Sequence, residues 1–146
     1  MNEESAPEAV LVAVDFSTSS IRALDRALSL RRPGSEVVVL HVIDTHLARR
    51  IEGSGAGSYA EAVSKMRQRA EDDFAWLRKE RGEAQFETML AEGLPFAEIV
   101  KIANDLECDL IVVGKHGTAP ELRDFLFGST AEKVVRGARQ PVLCVP

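Results

Sequence analysis

Short apolar runs alternate along the chain with longer stretches in which apolar residues recur every three or four positions. The short runs predict buried strands, and the longer stretches predict amphipathic helices. The predicted strands cover residues 10–14, 36–43, 84–90, 110–113 and 141–145. Strands that alternate with helices favour an α/β protein with one doubly wound, five-stranded parallel sheet, right-handed crossovers and helices on both faces.

Polar and glycine-rich residues locate the connections between these elements. Residues 44–58 are polar and rich in glycine, which predicts a flexible loop before the second and longest helical stretch. Near the carboxyl end of the chain, Ser129 and Glu132 fit the capping-box pattern of a helix start. We therefore expect a helix over residues 129–138 with Ser129 as its N-cap and Val135 on its inner face.

Length and composition fit one cytoplasmic domain. The chain has 146 residues, and we expect a single domain over 1–146 with a loose tail over 1–8. No apolar run approaches the roughly 20 residues that span a bilayer. The acidic amino-terminal residues lack the basic and apolar segments of a signal peptide. A net charge of −5 also argues against a nucleic-acid partner, which requires a basic surface.

Metal, disulfide and catalytic chemistry have little support in the sequence. Cys108 and Cys144 are isolated from each other, so we expect two reduced thiols. The three histidines, His41, His46 and His116, do not stand at metal-ligand spacing, so we expect no metal held by side chains alone. No nucleophile lies near a candidate base, and we expect a binding module without catalytic residues.

Candidate binding chemistry follows the predicted strands. Ligands of open parallel sheets bind beyond the carboxyl ends of the strands, where the strand order reverses, and Asp15 and residues 41–44 lie at two such ends. After the fourth strand, Gly114, Gly117 and Gly128 precede a helix start. Glycines let backbone N–H groups approach an anion, and a helix start adds unpaired donors. The pattern favours a phosphate site, although turn glycines and an ordinary cap also explain it.

Several motifs give the chain a resemblance to the universal stress protein family over nearly its whole length. They are Val14-Asp15-Phe16-Ser17, Leu40-His41-Val42-Ile43-Asp44, Gly93-Leu94-Pro95 with Glu98-Ile99-Val100, Cys108-Asp109-Leu110-Ile111-Val112-Val113-Gly114, Gly128-Ser129-Thr130 and Pro141-Val142-Leu143. The glycines resemble the family's ATP-binding pattern G-x2-G-x9-G-[S/T], with a last spacer of ten residues here. The resemblance implies the strand order 3-2-1-4-5 and a fold of the adenine nucleotide alpha hydrolase type.

The resemblance also implies which residues hold ATP. Asp15 resembles the aspartate at the nucleoside end, Val42 resembles the residue whose backbone holds adenine, and Ala13 stands where some ATP binders have proline. The implied ribose and phosphate loop contains Val113, Gly114, His116, Gly117, Gly128, Ser129 and Thr130. Because Lys115 and Arg123 are the only nearby cations in sequence, we expect Mg²⁺ to accompany ATP.

The implied strand order leaves the last strand, from Pro141 to Val145, at an edge of the sheet. This strand carries no charge that would block edge pairing, so we expect a homodimer through antiparallel pairing with a second copy. The resemblance leaves an alternative, a universal stress protein that binds no nucleotide and acts through contacts with another protein. If the protein binds ATP as the resemblance implies, we expect hydrolysis of the bound ATP to be slow or absent.

Overall fold

Strands and helices alternate in the computed structural model, which describes residues 6–82, 85–116 and 128–146. The strands are β1 (Ala9–Ala13), β2 (Glu36–Asp44), β3 (Glu87–Gly93), β4 (Leu110–Gly114) and β5 (Val142–Val145). The helices are α1 (Thr18–Leu30), α2 (Thr45–Gly53), α3 (Tyr59–Arg81), α4 (Pro95–Asp105) and α5 (Ser129–Gly137). None of the helices in the described ranges combines the length and apolar character that crossing a bilayer requires.

The sheet has the predicted order β3-β2-β1-β4-β5, and every neighbouring pair is parallel. The central strand β1 pairs with β2 on one side and with β4 on the other. The chain therefore leaves β1 toward one edge of the sheet and later returns to the opposite side of β1. This reversal creates a crevice beyond the carboxyl ends of β1 and β4.

Two apolar clusters cover the two faces of the sheet. Val10 and Val12 of β1 lie in a cluster with residues of α1 and α3, while Leu11 lies in a second cluster with residues of α4 and α5. All three β1 side chains are completely buried. Alternation along a strand buried on both faces produces the continuous apolar run of the sequence.

Asp109 fixes the amino-terminal end of β1 beside β4. One carboxylate oxygen accepts from the N–H of Glu8 and the other from the N–H of Ala9, each at 3.0 Å. The Asp109 N–H in turn donates to the carbonyl of Ala9 at 2.9 Å. These bonds set the register at which the two central strands begin, and they reach into the segment that we expected to be a loose tail.

The structure corrects three expectations about the elements. Residues 45–53, predicted as loop, form α2, because Asp44 caps the helix by accepting from the N–H groups of His46 and Leu47. Gly128, not Ser129, is the N-cap of α5, and no side chain caps that helix. Val135, predicted to face inward, is 47% exposed.

The third strand also begins later than predicted. It starts at Glu87 and extends to Gly93, and residues 83 and 84 lie outside the described chain. Its position at the edge of the sheet, beside β2, agrees with the predicted half-covered strand.

Candidate functional site

A cavity of about 380 Å³ lies at the crevice beyond the carboxyl ends of β1, β2 and β4. Its wall includes every predicted site residue that the structure describes: Ala13, Asp15, Val42, Val113, Gly114, His116, Gly128, Ser129 and Thr130. Gly117 lies outside the described residues. The strand order therefore brings together residues that are more than 100 positions apart in the sequence.

Other residues of the wall were not predicted to bind. The helices and strand ends around the cavity add Val14, Ser20, Leu40, His41, Ile43, Asp44, Leu47, Met66, Pro95, Ile99 and Ala131. Leu47 belongs to α2, the helix that sequence reasoning missed, and it is 41% exposed. Met66 and Ile99 come from the inner stripes of α3 and α4. Met66 is half-buried and Ile99 is buried, so both also belong to the packed interior.

The turn after β1 shapes the end of the site at Asp15. Phe16 has a φ of 64°, in the left-handed region that a bulky residue rarely adopts. The Asp15 carboxylate accepts from the N–H of Ser17 at 3.0 Å, and the Asp15 N–H donates to Ser20 Oγ at 3.3 Å. Asp15 itself is exposed. The turn thus holds a carboxylate at the cavity with one oxygen engaged in the turn.

His41 supports this turn from the neighbouring strand. Its Nδ1 lies 2.7 Å from the carbonyl oxygen of Val14, a contact that requires the proton on Nδ1. The His41 ring also packs against Phe16 with centroids 5.0 Å apart, and Phe16 makes an edge contact with Phe74 of α3 at 5.4 Å. These contacts offset the backbone strain at Phe16 and give His41 a structural role in the turn.

Gly114 brings the end of β4 against the same first turn of α1. A Cβ at this position would lie 2.7 Å from the Ser20 nitrogen and 2.8 Å from the Ser19 carbonyl carbon. No side chain fits such distances unless the backbone moves. The requirement for glycine at residue 114 therefore comes from packing against α1.

The amino terminus of α5 also opens into the cavity. Gly128 has a φ of −61°, which any residue can adopt, and Ser129 is exposed at the first helical position. The first N–H groups of a helix have no partner within the helix, and no side chain caps these. Thr130 and Ala131 line the cavity beside them. This end of the site presents backbone donors and the positive end of the helix dipole.

The charged side chains of the described wall are acidic. Asp15 and Asp44 contribute carboxylates, and the described lining contains neither lysine nor arginine. Within the described ranges, no three His, Cys, Asp or Glu side chains are grouped as metal ligands. The carboxylates of the site can thus accept hydrogen bonds from a ligand, and the helix terminus can bind its anionic groups.

Comparisons with known proteins agree with this architecture. The family model described as "Universal stress protein family" matches residues 7–146. The universal stress protein MJ0577 of Methanocaldococcus jannaschii is 29% identical over 93% of both chains. Universal stress protein YxiE of Bacillus subtilis is 30% identical over 93% of this chain and 97% of its own length.

Solved structures give the same result for the fold. The structure of MJ0577 superposes with a TM-score of 0.80 at 31% identity, over 94% of both chains. A universal stress protein in complex with cAMP has a TM-score of 0.60 at 24% identity, over 97% of this chain and 98% of the other. One from Archaeoglobus fulgidus in complex with dAMP has a TM-score of 0.64 at 24% identity, over 94% and 97%.

At 24% identity, the two nucleotide complexes bear on the fold alone, whereas the family model covers nearly the whole chain. The strand order, the crevice at β1 and β4 and the family match all agree. The chain belongs to the universal stress protein family.

Proposed function

We propose that this protein binds ATP, together with Mg²⁺, in the cavity beyond β1 and β4. The observation that carries the proposal is the composition of the cavity wall, which contains both the Asp15 carboxylate and an uncapped helix amino terminus. A volume of about 380 Å³ lies within the range of small-molecule sites, roughly 300–1,000 Å³.

The apolar part of the wall suits a base. Ala13, Val42 and Val113 lie at or near the carboxyl ends of the three strands around the crevice, and Val42 and Val113 are buried. A planar, largely apolar adenine would lose water favourably against such side chains. We place the base there, with Asp15 as an acceptor for donor groups of the nucleoside.

The phosphates would lie at the amino terminus of α5, beside the loop that begins at Gly114. Unpaired N–H groups and the helix dipole bind anions without a basic side chain. Since the described lining supplies no lysine or arginine, the phosphate charge needs another source of neutralisation. Mg²⁺ commonly binds through substrate phosphates and water with few protein ligands, so it fits this donor set.

The structural neighbours in complex with cAMP and dAMP support an adenine nucleotide as the ligand class. Both ligands contain adenine, a sugar and a phosphate, which are the parts that the two ends of this cavity would contact. The choice of a triphosphate with Mg²⁺ rests on the glycine pattern and on the charge of the described wall.

Calorimetry with Mg–ATP tests the proposal with a matched pair of variants. Gly128→Val places a bulky side chain at the phosphate end and should weaken binding at least tenfold. Gly137→Val makes the same change at the exposed, opposite end of α5 and should bind like the wild type. Thermal unfolding of each variant checks that the fold is kept.

The negative outcome is equally specific. If wild type gives no heat with Mg–ATP and the denatured protein releases no nucleotide, the proposal is wrong. The alternative would then hold, a universal stress protein that acts through contacts with another protein. Equal ATP affinities for wild type and Gly128→Val would place the site elsewhere.

We also propose that the protein is a homodimer that pairs through β5. This strand ends the sheet. The carbonyl of Pro141, just before it, accepts from the N–H of Ile111 in β4 at 3.0 Å, and the carbonyl of Val145 accepts from the N–H of Lys115, just after β4, at 2.7 Å. Because successive residues of a strand direct their backbone groups to opposite sides, Val142 and Cys144 direct theirs to the open edge. The four β5 side chains are half-buried against the core, so a backbone change tests the edge more cleanly than Leu143→Lys.

Cys144→Pro removes the thiol and one outward N–H, whereas Cys144→Ala removes the thiol and keeps that N–H. We expect light scattering at micromolar concentration to find dimers for wild type and Cys144→Ala, and monomers for Cys144→Pro. A monomeric wild type, or a dimeric Cys144→Pro, would refute pairing through this edge.

A further inference from the structure

Ser19 connects the first helix to the start of the segment after β4. It lies in the first turn of α1 and is only 6% exposed. Its hydroxyl donates to the carbonyl of His116 at 2.9 Å and accepts from the N–H of the same residue at 3.3 Å. One buried side chain thus satisfies both backbone groups of a residue 97 positions away.

Two further bonds hold the residue before His116. The Lys115 N–H donates to the carbonyl of Val145 in β5 at 2.7 Å, and the Lys115 carbonyl accepts from the N–H of Gly128 at 2.8 Å. Residues 115 and 116 are therefore bonded to β5, to the N-cap of α5 and to α1. Of these three connections, the one from Ser19 is made by a side chain, so a substitution can remove it alone.

The close packing at Gly114 makes the Ser19 contact possible. The absence of a Cβ there lets the backbone of α1 approach the end of β4, with the Ser19 carbonyl carbon at 2.8 Å from where a Cβ would stand. His116 follows two residues later and lines the cavity, whereas Ser19 does not. Ser19 can act on the site only through the backbone that it holds.

We propose that Ser19 is a positioning residue for phosphate binding, which fixes the backbone of His116 at the cavity wall, next to the residue that is bonded to the N-cap of α5. Without the hydroxyl, the His116 N–H and carbonyl lose their partner, and the backbone can turn away to find water. The loss should affect contacts with phosphates and leave contacts with the nucleoside unchanged. This ligand-dependent part rests on the proposed function.

The test compares Ser19→Ala with Ser29→Ala, the same change in the same helix at an exposed serine whose hydroxyl bonds only within α1. The first readout needs no ligand, since NMR hydrogen exchange follows the His116 amide directly. We expect this amide to exchange roughly tenfold faster in Ser19→Ala and at the wild-type rate in Ser29→Ala. An unchanged rate in Ser19→Ala would overturn the inference.

The second readout separates positioning from general destabilisation. Affinities for adenosine and for Mg–ATP are measured for wild type and both variants. We expect Ser19→Ala to lose roughly tenfold for Mg–ATP and less than twofold for adenosine, while Ser29→Ala changes neither. Equal losses for both ligands, or no loss for Mg–ATP, would overturn the positioning role. If wild type binds neither ligand, the proposed function fails, and the exchange of the His116 amide still decides whether Ser19 holds the loop.

Discussion

Replacing Gly114 with alanine provides the most direct test of how the site is assembled. The added Cβ would lie 2.7 Å from the Ser20 nitrogen, and an ordinary contact begins near 3.4 Å, so α1 must retreat by roughly 0.7 Å. Overpacking of this kind costs about 1–3 kcal/mol. The obstructing atoms are the Ser19 hydroxyl and the backbone of Ser19 and Ser20, so we expect the upper end, about 3 kcal/mol.

Urea unfolding followed by far-ultraviolet circular dichroism measures this cost. For a chain of this length, about 3 kcal/mol corresponds to a fall in Tm of roughly 6–12 °C. Gly137→Ala is the matched control, because a Cβ there meets only a methyl carbon of Val100 at 3.8 Å. Alanine inside a helix is favoured over glycine, so the control should be neutral or up to about 1 kcal/mol more stable. A Gly114→Ala variant within about 0.5 kcal/mol of wild type, a change typical of surface positions, would refute the packing argument.

Two further predictions concern the strand ends. Asp109→Ala should lower the free energy of unfolding by about 1–2 kcal/mol in urea titrations, because the Glu8 and Ala9 N–H groups lose an exposed carboxylate acceptor; an unchanged midpoint would contradict this anchor. Burial, with smaller contributions from Asp109 and Glu36, raises the pKa of the Cys108 thiol above its usual 9.0. Folding therefore favours the neutral thiol. The stability that this thiol contributes is complete below pH 9.0 and is lost as the pH rises through the folded-state pKa. A Cys108→Ala variant whose Tm falls as steeply as that of wild type above pH 9.0 would contradict this prediction.

Much of the fold could be predicted from local patterns. Strands buried on both faces give apolar runs, and the helices that cover the sheet give helical spacing, so the strand order followed once the family resemblance was clear. Helix α2 was missed because its apolar stripe is only one turn long, Leu47, Ala48 and Ile51, and only Ala48 of the helix is buried. The available clue was Asp44, whose side chain caps the helix.

The candidate site residues were predicted to lie together beyond the strand ends, and the packing role of Gly114 was missed. The motif residues around Asp15, Val42 and Gly128 do line one cavity. The reason for Gly114 and the contact of Ser19 depend on a pairing between α1 and β4, at a separation of 97 residues for the hydroxyl bond. Local spacing contains no information about such a contact, so the sequence explained the glycine only by an anion or by a turn.

The bond between the Gly128 N–H and the Lys115 carbonyl affects how far the segment between these two residues can vary in length. It closes the base of the segment with main-chain atoms, independently of the side chains inserted between them. The entropy of closing a loop changes slowly with length, and one additional residue in a loop of this size costs about 0.1 kcal/mol. A spacer of ten residues in place of nine therefore leaves the two ends where the cavity needs them. The same segment is a place where peptides of different length could be inserted while the sheet and α5 keep their positions.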